Sequence, residues 1–381
     1  MPSHSLPRRT TLRAYAENAD WSRFTTAVSL HAHTSYSREV MSDLPRYIAK
    51  IPFVAGRFKR SAADVDFSKG WWHPPIDARG VFESEVAQIE RRFGLDSIVS
   101  LTDHDDISAG LDVQARYASR RAPISTEWTV PWEGGFFHFG VHNLPPASAR
   151  EWFARLNAFT QHPRPGELDD ILDNLHEVPG LLLVFNHPMW DLACVGDHAH
   201  GLALHRFMRA HGPMIDALEI NGYRSRHENG RVRELATELN LPLISGGDRH
   251  ALAPNAVVNL TTAKTFAEFA DQVRGGESHV VVMPEYAQPT ELRKLAAAAD
   301  VVRHYRAYPR ERRHWTGRVS WHLDDGIKPL SHVWPDGGPF WIRSVFAAFR
   351  IAACPVARAV LTPLFRRRAA NLDTRLLPTV V

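Results

Sequence analysis

Short apolar runs in this chain repeatedly end in histidine, aspartate or glutamate, and that repetition limits the fold more than any other feature of the sequence. The first run, Thr26-Ala27-Val28-Ser29-Leu30, reads as a strand and leads into His31-Ala32-His33. Residues i and i+2 of a strand face the same way, so two imidazoles leave one strand end on one side. That is half of a metal site. An isolated His-x-His pair is weak evidence in a chain with 21 histidines, so the weight falls on the later runs.

Runs at 97–101 (SIVSL), 136–141, 181–185 (LLLVF), 217–220, 243–244, 256–260 and 280–283 read as short buried strands. Between them, 84–93, 149–159, 167–175, 202–210, 228–239, 266–274 and 290–299 have helical spacing. This alternation implies an α/β chain with a parallel sheet or barrel, whose site lies at the C-terminal ends of the strands.

Six successive strand ends carry ligand-type residues. They are Thr102-Asp103-His104-Asp105-Asp106, Glu127, His138 with His142, Asn186-His187-Pro188, Glu219 with Asn221, and Gly247-Asp248-Arg249-His250. Each alone is best read as a hydrogen-bonded structural residue, but the set is not. Imidazole and carboxylate without thiolate suit Zn, Mn or Fe. More than four candidates point to two or three metals sharing a bridging carboxylate, an arrangement used in phosphoester hydrolysis.

The chain has 381 residues, 44% hydrophobic and 23% charged, which is ample for a full core. A formal net charge of +3 gives no overwhelming field toward nucleic acid. The basic excess is local: six arginines between Arg303 and Arg318 face one acid, Glu311, and Arg366-Arg367-Arg368 forms a second cluster. Two distant cysteines, Cys194 and Cys354, fit a reducing, cytoplasmic setting. The first residues contain no apolar stretch of a secretory signal, and no uninterrupted apolar run reaches about 18 residues.

Residues 1–24 read as an extension, and periodicity is lost again from 38 to about 75, a piece long enough for a lid or binding loop. The alternative is a surface excursion that packs Trp71 and Trp72 on the core. Past about 301 the alternation stops, and a basic extension continues to 381. Within it, 341–365 reads as an amphipathic helix, kinked at Pro355 and interrupted near its end by Pro363, whose Arg343, Arg350 and Arg358 share a face. Such a helix fits an anionic membrane surface, which would make the protein peripheral, or docks on the core or a second subunit.

As an ordered set, Leu30-His31-Ala32-His33-Thr34, Thr102-Asp103-His104-Asp105, Glu127 with His138, Asn186-His187-Pro188 and Gly247-Asp248-Arg249-His250 resemble the polymerase and histidinol phosphatase (PHP) superfamily of metal-dependent phosphoesterases. The resemblance covers roughly residues 25–285, within a catalytic domain expected at 25–300. It implies a distorted (β/α)7 barrel with an insert after its first strand. By the same resemblance His31, His33, Glu127 and Asp248 would hold one metal, Glu127 would bridge to a second on His138 and His187, and His104 and His250 would bind a third. The family usually has Asp five residues after the second histidine, where this chain has Arg38 followed by Glu39. Two outcomes are open: Glu39 reaches into the third site, or that site is weak and Arg38 adds positive charge near a substrate phosphate.

The expected chemistry is phosphoester hydrolysis with two or three divalent ions (Mn, Zn or Fe), Asp248 or His250 managing the nucleophile's proton and His187 or His104 assisting the leaving group. Arg249, Arg38, Arg224 and Arg226 are candidate phosphate clamps, Arg249 foremost for its place between two ligand candidates. The substrate would be a phosphomonoester, a nucleotide or a nucleic-acid end. The alternatives are a metal-dependent amidohydrolase and a non-catalytic membrane-surface module with a structural metal core.

Overall fold

A computed structural model describes residues 9–42, 44–49, 55–61, 66–117, 122–306 and 308–370. In chain order the strands are β1 (Arg9–Ala14), β2 (Thr26–Ser29), β3 (Glu39–Val40), β4 (Gly70–Trp72), β5 (Asp96–Val99), β6 (Ile124–Trp132) and β7 (Gly135–Leu144). They continue as β8 (Leu182–Asn186), β9 (Ala217–Asn221), β10 (Leu243–Gly246), β11 (Val257–Thr261), β12 (Glu277–Val282), β13 (Val319–Leu323) and β14 (Gly326–Pro329). One five-stranded sheet has the order β1-β12-β11-β2-β5 and a second the order β10-β9-β8-β7-β6.

The outer strands of the second sheet meet the first sheet at single parallel bridges, Leu101 with Ile124 and Ala32 with Arg249. No sheet closes on itself among the described residues, so the chain is a mixed α/β fold and the expected (β/α)7 barrel is not seen. The pairing is also mixed rather than parallel. β6 and β7 form an antiparallel hairpin, since Glu133 and Gly134 both take positive φ, as a two-residue primed turn requires. β7 with β8, and β11 with both neighbours, are antiparallel as well.

The helices follow the apolar periodicity closely. Ala78–Phe93 starts on an Asp77 cap, which accepts from Gly80 N, and stops at Gly94 in the left-handed region. Arg226–Glu238 starts on a capping box in which the Ser225 and Glu228 side chains each accept from the other's backbone amide. Their apolar faces cover the sheets. Trp128, Phe139, Phe185 and Phe207 fill one core region, and Val28, Ile98, Val184, Ile244 and Phe269 fill another.

A third sheet, β14-β13-β4-β3, joins the insert after β2 to the segment beyond 301, with Trp72 opposite Val319 and Trp71 opposite Ser320. Two ends of the chain that read separately in sequence are therefore one structural piece. The kink expected at Pro355 is a full break: 341–365 falls in two helices, Phe340–Ala352 and Pro355–Ala370, bent by 75°. Proline lacks an amide and disfavours helix in the residue before it, so Pro355 ends one helix and opens the next. Pro363, expected as an interruption, lies inside the second helix. The bend splits the arginine face: Arg343 and Arg350 are exposed, whereas Arg358 hydrogen-bonds Gln288. No single described helix is long and apolar enough to cross a membrane, although the bent pair together has the length and composition. The side chains of Arg366, Arg367 and Arg368 lie outside the described residues.

Candidate metal centre

The seam between the two sheets builds the site. Beyond β10 the chain runs alongside the extension of β2: Gly247 N donates to Leu30 O at 2.9 Å, Asp248 N to His31 O at 2.7 Å and His33 N to Arg249 O at 2.8 Å. Because alternate residues share a face, His31, His33, Asp248 and His250 turn to one side and Ala32 and Arg249 to the other. At the second seam, Asp105 N donates to Glu127 O at 2.9 Å, and the His104–Glu127 bridge sets these two side by side. His138 stands opposite Asn186 in the β7–β8 ladder, one residue before His187.

The side chains then converge. Glu127 Oε2 lies 3.1 Å from His31 Nε2, 3.3 Å from His33 Nε2 and 3.2 Å from His104 Nδ1. Its Oε1 lies 3.3 Å from His138 Nδ1 and 3.0 Å from His187 Nε2. Asp248 Oδ1 is 3.6 Å from His31 Nε2 and 3.4 Å from His33 Nε2. Four overlapping groups of these donors can each hold a metal ion: His31-His33-Asp248, His31-Glu127-His187, His104-Glu127-His138 and His33-Glu39-His104-His250.

The eight residues that the resemblance gives as ligands, His31, His33, His104, Glu127, His138, His187, Asp248 and His250, all lie in this cluster, and so does Glu39. Ser37 Oγ donates to Glu39 Oε1 at 2.6 Å, and Glu39 Oε2 lies 3.0 Å from His250 Nε2 and 3.2 Å from His104 Nε2. Glu39 is buried, while Arg38 beside it is exposed, its guanidinium carbon 5.8 Å from the Trp71 ring centroid. The longer glutamate thus occupies the place where the family resemblance asks for aspartate.

The donor set fits divalent cations. Glu127 Oε2 and His138 Nδ1 are buried with no hydrogen-bond partner among the described residues, although other donors and acceptors crowd them. Atoms that close without hydrogen-bond geometry leave lone pairs aimed at a common point. Burial pushes the His33 and His138 imidazoles down to about 4, aided by neighbouring imidazoles. Burial opposes protonating His104 and His250 too, but the neighbouring carboxylates, Glu39 with Glu127 for His104 and Glu39 with Asp248 for His250, together outweigh it and lift them to about 10 and about 9. Protons on those two rings offset the acidic groups, a role that cations take over when ligands bind them. Strain marks the same place, since His31, His187 and Asp248 all have positive φ without being glycine.

Sequence reasoning noted Glu219 and assigned it nothing. Its Oε1 lies 2.5 Å from His31 Nδ1, and its Oε2 accepts from His187 N at 2.9 Å and Asn221 Nδ2 at 2.8 Å. Asn186 was likewise passed over, yet its Nδ2 donates to Glu127 Oε1 at 3.0 Å. The available signal was position, immediately after buried runs. Other candidates stand apart from the cluster. Arg249 is buried with Nη1 2.7 Å from Glu85 Oε1, and it also donates to the carbonyls of Ala251 and Leu252. Its donors are committed to the protein rather than turned toward a substrate. His142 points to Ser100 Oγ at 2.7 Å. Arg224 is buried against Trp190, near His187.

No family model and no curated protein matches the chain. Among solved structures, PsfC from Pseudomonas syringae is 13% identical over 68% of this chain and 93% of its own, with TM-score 0.40. An amidohydrolase from Chromobacterium violaceum, with sulfate bound and no metal, is 15% identical over 58% and 87%, with TM-score 0.35. A chain from Bifidobacterium adolescentis, provisionally named a metal-dependent phosphoesterase, is 16% identical over 66% and 96%, with TM-score 0.36. Similarity of that order leaves the reading of the site to the residues that build it.

Proposed function

We propose that this protein is a metal-dependent hydrolase acting on a phosphoester. The observation that carries the reading is the sharing of Glu127 between two of the four donor groups, with His31 and His104 each belonging to two. Single structural metals sit in closed tetrahedral sites, whereas adjoining sites with a common carboxylate are the pattern of hydrolytic centres. Two or three divalent ions bound there would supply Lewis acidity and a water acidic enough to ionise near neutral pH.

The chain's own residues do the rest. His31, His33 and Asp248 would hold one ion, Glu127 would hold an adjoining one with His187 and His31 or with His138 and His104, and His33, Glu39, His104 and His250 would hold a third. Glu219 and Asn186 orient His31 and Glu127 from behind. In this reading Asp248 or His250, whose ring Nδ1 is 3.5 Å from Asp248 Oδ1, would manage the nucleophile's proton, and His187 or His104 would assist the leaving oxygen.

The test is phosphate release from a panel of phosphomonoesters and nucleotides by the purified chain, stripped with chelator and reloaded with Mn, Zn or Fe. Metal-dependent phosphate release supports the reading. A folded protein that binds no metal, or that cleaves only amides and lactones in a parallel panel, overturns it.

A further inference from the structure

The loop after β9 carries Tyr223 and Arg224 beyond Asn221, whose Nδ2 lies 2.8 Å from Glu219 Oε2 and 3.3 Å from Asp248 Oδ2. That amide fixes the start of the loop to the metal centre. Arg293, on the helix Thr290–Val301, fixes the loop from outside: its guanidinium donates to Gly222 O and, at 3.3 Å, to Arg224 O. Lys294, the next residue, lies with its ammonium 5.9 Å from the Tyr223 ring.

Arg224 itself is only 5% exposed. Its guanidinium carbon sits 3.7 Å above the Trp190 ring, and that ring is 5.1 Å from the His187 imidazole at a near-perpendicular angle of 69°. Its ion-pair partner is Glu228, with Nε 3.4 Å from Oε1, while Glu228 Oε2 is already taken by the Ser225 hydroxyl and amide. Nε and Nη1 are buried and make no hydrogen bond among the described residues. A buried guanidinium with unmet donors is costly, and it is unusual enough in native structures to require an explanation. Planar guanidinium held flat on an indole presents its edge to a carboxylate or phosphate.

We propose that Arg224 and Lys294 form an anion subsite beside the metal centre, which takes a second anionic group of the substrate, a carboxylate or phosphate, besides the one at the metals. The proposal rests on the phosphoesterase reading and narrows its substrate class to doubly anionic compounds. Electrostatics agree with the geometry: burial first, then the Arg224 charge, hold the Lys294 ammonium down at about 8, while Glu228 and Asp248 act in the opposite sense. A bound anion would relieve the repulsion between Arg224 and Lys294.

The experiment uses non-hydrolysable probes, so it does not depend on turnover. The full chain, loaded with Mn, is titrated calorimetrically with ω-carboxyalkylphosphonates of two to four methylenes and with the matching alkylphosphonates. The expected result is a preference of about tenfold or more for at least one carboxylated probe, the size of a charged hydrogen bond. That preference is lost in Arg224→Met, partly kept in Arg224→Lys and reduced in Lys294→Met. No preference in the wild-type chain overturns the proposal, as does a preference that survives in folded Arg224→Met. Should Arg224→Met fail to fold, an undiminished preference in Lys294→Met overturns it instead. Failure of the phosphoesterase reading is separate, being seen as no phosphate release from any substrate.

Discussion

Glu219 Oε1 and His31 Nδ1 meet at 2.5 Å in the buried interior, on the side of the imidazole away from Glu127. A carboxylate oxygen accepts, so this contact holds a ring proton on Nδ1 and turns Nε2 toward the cluster.

Glu219→Gln should therefore fold and yet bind metal about 10- to 100-fold more weakly, the usual cost of losing a partner behind a ligand. A competition titration against a fluorescent chelator measures this. Gly246→Ala should show the same loss by a different route, because a Cβ there would fall 1.6 Å from Glu219 Oε1. Unchanged affinity in both variants would remove Glu219 from the centre.

Glu39 lies among His33, His104 and His250, with no second carboxylate in that group. Glu39→Ala should lower the bound metal by one ion per chain, and Glu39→Asp, shorter by one methylene, should hold that ion less tightly. Elemental analysis of dialysed protein reads the stoichiometry directly. Equal metal content in all three proteins would sink the assignment.

Arg249 and Glu85 form a buried pair at 2.7 Å, and Asn255 N adds a 3.0 Å bond to the same carboxylate oxygen. Removing one partner strands the other charge in the core. Arg249→Met is expected to cost about 3–5 kcal/mol of stability in urea unfolding. A loss under about 1 kcal/mol, accompanied by weaker phosphate binding, would instead return Arg249 to the substrate.

His142, which stands outside the donor cluster, gives a pH dependence of its own. Burial, then the charge of His31, push its imidazole down from 6.5 to about 3. The unfolded chain binds this proton below about 6.5 and the folded chain does not until about 3, so stability is full above that range and falls as pH drops through it. The slope is about 1.4 kcal/mol per pH unit for one such group. Comparing urea unfolding of the wild type and His142→Asn at several pH values between about 4 and 6 should show a slope shallower by that amount in the variant. Parallel slopes would mean that His142 is protonated in the folded state.

Much of the centre was legible because it is written in local terms. Short apolar runs followed by His31, His33, His104, Glu127, His187, Asp248 and His250 name both the strands and the residues at their ends. The hairpin was missed: Glu133-Gly134 carried its turn signal, but 124–132 was not read as a strand, and so its antiparallel pairing went unseen. Arg249 was misplaced by position alone, since neighbours in an extended segment face opposite ways and its flanking residues had already taken the inner face. The same alternation puts Glu39 inside and Arg38 outside.

By itself, then, the sequence determined the residue types, their order and the rhythm of strands and helices, because periodicity and capping act over a few residues. Only the tertiary structure decided that two sheets meet at isolated bridges, that the insert and the C-terminal segment share a sheet, that Glu219 backs His31, and that Arg224 stacks on Trp190 beside His187. Those relations join residues tens to hundreds of positions apart. They follow from which strand edges pair and which buried charges find partners, and no local pattern encodes either.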